Sequence, residues 1–211
     1  MEQNNLKTKN FWSKGLVAWL YKKFAGRHFI KIHKFIGSII LTSGVKSVLD
    51  IACGPGDFLF YLKEQDPSIQ FFGTDLAPGM VLYAQKKLGE KVIIKESNSE
   101  NQPFPDKSFD VVTVMMAFHH FSNQLETLKE IMRILKPSGE CIIVDVIAKS
   151  ESQKKFWNFL EKITGVRGYV GHYTEFDLEQ LAEKAGYMHF KCEFIPKMAK
   201  RYKVCRLKNV N

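Results

Sequence analysis

From Lys46 onward the apolar residues follow two alternating rhythms. Short runs rich in β-branched and aromatic residues, SVLDIA (47–52), IQFFGT (69–74), KVIIKE (91–96), FDVVTVMM (109–116) and CIIVDVI (141–147), read as buried strands. Between them the apolar positions take a helical period, over about 57–65, 78–88, 124–135, 151–163 and 175–185. In 124–135, Leu125, Leu128, Ile131, Met132 and Leu135 recur at three and four, and Lys136-Pro137-Ser138-Gly139 supplies turn residues that stop the helix. Gly186 ends the last helix in the same way. Two final runs, 188–195 and roughly 199–207, are joined only by Pro196-Lys197-Met198, too short for a parallel crossover, so this pair is expected to be antiparallel. The pattern predicts an α/β fold: a doubly wound, mostly parallel seven-stranded sheet ending in an antiparallel hairpin.

Ahead of the sheet, Phe11, Trp12, Leu16, Trp19, Leu20 and Phe24 sit at helical spacing among lysines, and Phe29 to Leu41 forms a second apolar helix. Residues 1–45 are expected to act as a helical lid over a pocket, a membrane-surface element or a flank packed on the sheet, with 46–211 as the main domain of one globular unit. A length of 211 residues, 45% hydrophobic and 25% charged, suits a single domain with a sizeable core. The chain contains no apolar run long enough to span a bilayer, and MEQNNLKTKNFWSKG lacks the features of a secretory leader, so the expectation is a cytoplasmic protein.

Cys53, Cys141, Cys192 and Cys205 form no CxxC pair, which argues against a zinc knuckle or a thioredoxin-like motif, and no metal is expected. Buried reduced thiols are the expectation: Cys192 and Cys205 can face each other across the last hairpin, but a reducing compartment disfavours a stable bond. The net charge of +9 is uneven, with eight Lys or Arg against Glu2 in residues 1–34 and six basic residues and no acid in 196–211. Basic ends of this kind attract an anionic substrate, nucleic acid or a membrane surface, or simply keep the protein in solution.

The first strand runs straight into Gly54-Pro55-Gly56 and then a helix, which puts bare backbone amides at the carboxyl edge of the sheet, where open α/β folds bind ligands. A dinucleotide fingerprint would need a third glycine at 59, and the residue there is Leu59. Asp50, inside the strand end, suits a ligand with an ammonium group. Asp75, closing the second strand nineteen residues after Gly56, can accept both hydroxyls of a ribose.

VLDIACGPGDF, FFGTDLAPGM, SNSENQPFPDKSFDVVTVMMAFHHF and LKEIMRILKPSGECIIVD, together covering roughly 47–145, resemble the class I S-adenosylmethionine-dependent methyltransferases. The resemblance is closest to the small enzymes that include the ubiquinone and menaquinone biosynthesis methyltransferases. It implies that Gly54 and Gly56 face the methionine part of S-adenosylmethionine with Asp50 in the adjoining network, that Asp75 binds the ribose and that Leu76 packs on the adenine. Ala52, Met80, Ser99 and Met115 complete the implied lining. Asn98 stands where the family usually has an aspartate that accepts from the adenine amino group, and its carbonyl can accept the same bond.

The implied reaction is methyl transfer, which demands alignment and exclusion of water more than a covalent nucleophile. After the fourth strand, MMAFHHF is neither the motif of amino-group methyltransferases acting on nucleic-acid bases nor accompanied by a Pro-Cys nucleophile, which lowers a nucleic-acid acceptor relative to a small, hydrophobic or aromatic metabolite. His119 or His120 can serve as general base or simply hold the loop, and His172 and Tyr173 can also reach the site.

Overall fold

All five residues of β1 (Ser47–Ile51) are buried, because the strand is covered on both faces and sends alternate side chains to opposite sides. Val48 joins one core with Ile32, Ile36 and Ile40 of helix α1, whose described part is 29–41. Leu49 and Ile51 join a second core on the other face. The structure, a computed structural model, describes residues 29–164, 172–196 and 202–209. The aromatic stripe expected over 11–24 lies outside them.

The remaining elements are α2 (Asp57–Gln65), β2 (Gln70–Asp75), α3 (Pro78–Leu88), β3 (Ile93–Glu96), β4 (Phe109–Met115), a short 3₁₀ turn (Phe118–His120), α4 (Gln124–Ile134), β5 (Leu135–Val146), α5 (Glu151–Thr164), α6 (Glu175–Ala185), β6 (His189–Phe194) and β7 (Tyr202–Lys208). The strand order is β3-β2-β1-β4-β5-β7-β6, parallel except for β7, which runs antiparallel to both neighbours. Helices α1, α2 and α3 cover one face through Leu59, Leu62, Val81 and Ala84, and α4 and α6 cover the other through Leu128, Ile131, Leu178 and Ala182. The sheet is therefore doubly wound, as the two rhythms predict. Chain direction reverses across the sheet at β1, which pairs with β2 on one side and β4 on the other. An open α/β sheet leaves its binding crevice at the carboxyl ends of such strands.

Two expectations are corrected. Residues 136–139 do not form a turn between helix and strand: β5 begins at Leu135, directly after α4, and passes through Pro137-Ser138-Gly139 as a bulge. The register shifts from Phe109↔Leu135 to Val111↔Glu140. A Cβ on Gly139 would lie 2.9 Å from the Lys136 carbonyl oxygen and 3.0 Å from that of Phe109, so the glycine serves the bulge. Cys192 and Cys205 are bonded to each other, whereas Cys53 and Cys141 are buried thiols. The hairpin register sets the bonded pair directly opposite, with Cα atoms 4.1 Å apart.

Candidate functional site

The turn after β1 is shaped by three successive departures from ordinary backbone. Ala52, Gly54 and Gly56 all take positive φ, at 57°, 53° and 75°. The two glycines use that freedom differently. A Cβ on Gly54 would meet nothing within 4 Å, so its backbone faces open space. A Cβ on Gly56 would meet Leu88 Cδ1 at 2.7 Å, so its role is to let α2 and α3 pack.

Asp75 fastens the turn to the neighbouring strand. Its Oδ2 accepts from the Gly54 amide at 2.8 Å, and its Oδ1 accepts from the Ala77 amide at 2.9 Å. Burial pushes this carboxyl above its ordinary range, and the amides of Ala77, Gly54 and Leu76 pull the other way. Asp50, 1% exposed, accepts from the Thr113 hydroxyl at 2.7 Å. Burial raises its pKa to about 7, the Thr113 bond opposes this and the nearby Asp75 adds to it. A cationic group placed against Asp50 would restore its charge.

Two cavities flank this turn. The first, of about 290 Å³, is lined by Ala52, Gly54, Asp75, Leu76, Met80, Asn98, Ser99, Met115, His119 and His120 among others. The second, of about 330 Å³, lies toward α1 and α2, with Asp50, His33, Tyr61 and Glu64 on its wall. They share Phe29, Ala52, Gly54, Pro55, Met115 and Met116. Of the fourteen residues named from sequence, ten thus line the first cavity, Asp50 lines the second, and Gly56, His172 and Tyr173 line neither.

Asn98 is positioned by a network in 97–106. Its side-chain oxygen accepts from the Glu100 amide at 3.4 Å, and its carbonyl accepts from Gln102 Nε2 at 2.8 Å. Arg133 of α4 clamps that segment from below, donating to the carbonyls of Gln102 and Phe104 and to Glu130 and Asp106. Ser99 shares a hydrogen bond with Thr127 of α4 at 3.0 Å.

At the other end of the first cavity lies a group only partly foreseen. Asp145, fully buried near the end of β5, takes His119 Nδ1 on Oδ1 at 2.6 Å and the His119 amide on Oδ2 at 3.0 Å. The Tyr173 hydroxyl donates to Oδ2 at 3.0 Å. Burial pushes the Asp145 pKa up, but the adjacent His119 and the hydrogen bonds outweigh it and hold the carboxyl below its ordinary value. A lone carboxylate in the apolar run CIIVDVI was the available signal, the same signal that marks Asp50 in VLDIA. Met116, at φ 55°, continues β4 into this corner. Among the described residues, no cluster of His, Cys, Asp or Glu is placed to hold a metal ion.

The arrangement fits S-adenosylmethionine. Open space over Gly54 admits a ligand against the main chain, Asp75 stands at the tip of β2 and Asp50 awaits a cation. Fold and site together have the arrangement of a class I S-adenosylmethionine-dependent methyltransferase, and comparison with known proteins finds the same likeness. Residues 49–143 match the methyltransferase domain family. A demethylmenaquinone methyltransferase of Deinococcus radiodurans is 35% identical over 108 residues, which cover 50% of this chain and 45% of that protein. The crystal structure of YcgJ from Bacillus subtilis superposes with a TM-score of 0.64 at 28% identity, over 76% of this chain and 70% of that one. A methyltransferase solved in complex with the Haloferax volcanii Trm112 activator superposes at TM-score 0.76 over 97% and 99% of the two chains; at 18% identity it speaks for the fold alone. Residues 49–143 thus carry the likeness to the methyltransferase domain family, and the curated relatives that this chain matches include demethylmenaquinone methyltransferases and a ubiquinone/menaquinone biosynthesis C-methyltransferase. It spans about half the length of those relatives.

Proposed function

We propose that the protein transfers the methyl group of S-adenosylmethionine to a small, hydrophobic, aromatic acceptor. The observation that carries this reading is the pair of strand-tip carboxylates, buried Asp50 and half-buried Asp75, on either side of the open Gly54 turn. In it, Asp75 and Leu76 bind ribose and adenine, Asn98 and Ser99 border the adenine, Asp50 meets the ammonium group, and Ala52, Met80 and Met115 supply apolar wall. Gly56 supports the turn from behind. When bound, the donor supplies a methyl carbon already activated by its sulfonium.

The acceptor half rests on Phe29, Met116, Phe121 and the two histidines, an apolar wall with few polar groups. The relatives' names favour a quinone-type ring; as its acceptor atom bonds to the methyl carbon, the donor's carbon–sulfur bond breaks, S-adenosylhomocysteine leaves and the acceptor gives up a proton. His119 takes that proton. Asp145 occupies the Nδ1 edge, so the imidazole exchanges protons through Nε2, and the carboxylate stabilises the imidazolium that results. Asp145 and Tyr173 are positioning residues. Helix α1, within the described part of residues 1–45, covers the acceptor side, and 46–211 is the catalytic unit.

A nucleic-acid acceptor is the weaker reading. Among the described basic residues of the C-terminal segment, Lys203 pairs with Glu175 and Arg206 makes a two-pronged contact with Glu140 at 2.6 and 2.8 Å. Those charges are committed within the fold.

Calorimetry with S-adenosylhomocysteine tests the donor assignment: the wild type binds, and Asp75→Ala weakens binding by about 100-fold through loss of a charge-assisted pair of hydrogen bonds. Unchanged affinity in Asp75→Ala would sink it. Incubation with labelled donor and cell extract then separates an enzyme from a module that binds without transfer. Label entering RNA instead of a small extractable product would overturn the acceptor class.

A further inference from the structure

Helix α5 (Glu151–Thr164) turns aromatic residues outward while two of its polar residues face the protein: Lys154 Nζ donates to Asp177 Oδ2 of α6 at 2.7 Å, and Asn158 Oδ1 accepts from the His172 amide at 2.8 Å. Its aromatic residues face outward, with Phe156 57%, Trp157 38% and Phe159 62% exposed. Phe156 and Trp157 stack edge to face at 5.5 Å, and Phe176 at the start of α6 is 66% exposed. Lys149 and Lys155 are exposed along the same stretch.

We propose that this aromatic face docks on an anionic lipid surface. Phenylalanine and tryptophan with flanking lysines are the chemistry that settles a helix into the headgroup boundary. Among the described residues no helix is long and apolar enough to cross a membrane, so contact through them is interfacial. Charge selects the occupant. Lys149 and Lys155, exposed beside the aromatic side chains, set this face toward anionic headgroups. The face also adjoins the site. The Trp157 ring lies 6.0 Å from that of His172, and the next residue, Tyr173, reaches Asp145, which holds His119. Docking would bring that side of the molecule to the lipid, where an apolar acceptor dissolves. The proposal stands on the surface itself and does not require the acceptor assignment.

The test is sedimentation of the full chain with phosphatidylcholine vesicles, with and without about 30% phosphatidylglycerol. Binding is expected to the anionic vesicles and to weaken with added salt. Phe156→Ser with Phe159→Ser should lower it at least tenfold or so, leaving the melting temperature and S-adenosylhomocysteine affinity unchanged. Lys155→Glu, which leaves the aromatic face intact, should lower it roughly fivefold. No sedimentation at low salt would overturn the proposal, as would wild-type binding by both variants, which would place the contact in the basic chain ends. A dimer that the serine variant dissolves, with no vesicle binding, would make the face a contact between copies.

Discussion

Asp145 shows how one buried carboxylate can organise a corner of a site. With its Oδ1 on His119 Nδ1 and Oδ2 on the His119 amide and Tyr173 hydroxyl, it fixes ring, loop and covering segment at once. If His119 takes the acceptor's proton, replacing it with glutamine keeps a donor toward Asp145 and removes the base. His119→Gln should then lower the transfer rate by about 100-fold or more, with S-adenosylhomocysteine affinity intact. An equal loss of affinity would make His119 a structural residue. The sequence makes His119 a candidate base but cannot choose between it and His120, since both follow β4 and both line the cavity. Only the fold, bringing Asp145 across from β5, distinguishes them. Tyr173 is legible as a residue able to reach the site; its partner is not.

At the level of elements, the β1–α2 turn separates two jobs that the sequence presents as one. Both glycines fit a phosphate-like or methionine-like backbone cradle, yet only Gly54 is open to a ligand. Gly54→Ala should therefore cost the fold about 1 kcal/mol, from the left-handed backbone, while strongly weakening S-adenosylhomocysteine binding. Gly56→Ala adds a clash with Leu88 to the same strain and should cost about 2–4 kcal/mol, its effect on binding being secondary. Urea denaturation and calorimetry on the two variants check this, and the reverse order of effects would refute it. Helices α2, α3 and α6 are legible to the residue because the apolar period meets a boundary residue there: Gly56 before α2, Pro78 opening α3 and Gly186 ending α6. The bulge of β5 is not, because Lys-Pro-Ser-Gly has the same composition whether it ends a helix or kinks a strand, and only pairing with β4 decides. The Cys192–Cys205 bond likewise depends on a register that sequence leaves open.

For the whole molecule, the buried Asp50 carboxylate, with half-buried Asp75 beside it, makes ligand binding a proton-coupled event. Asp50, raised to about 7, still holds its proton over part of the neutral range in the free protein, and Asp75 is shifted the same way. A bound ammonium favours the ionised form of Asp50, so binding expels a proton, and affinity must rise with pH until the free protein has lost that proton unaided. S-adenosylhomocysteine affinity should climb between pH 5.5 and about 7, by at most roughly tenfold per pH unit, and level off above. The melting temperature of the free protein is a poor reporter of the same group. A raised carboxyl makes the folded state hold protons that the unfolded chain has released, so its contribution to stability falls as pH rises from the ordinary carboxylate value toward 7. His33, lowered to about 4 chiefly by burial, acts in the opposite sense between about 4 and its ordinary 6.5, because there the unfolded chain binds the extra proton. The two contributions offset each other in the free protein. The ligand's ammonium singles out Asp50. Calorimetry across this range on the wild type and Asp50→Asn resolves it: the variant should bind more weakly at pH 8 and show a flatter profile. A flat wild-type profile would mean that the ammonium group is held elsewhere than against Asp50.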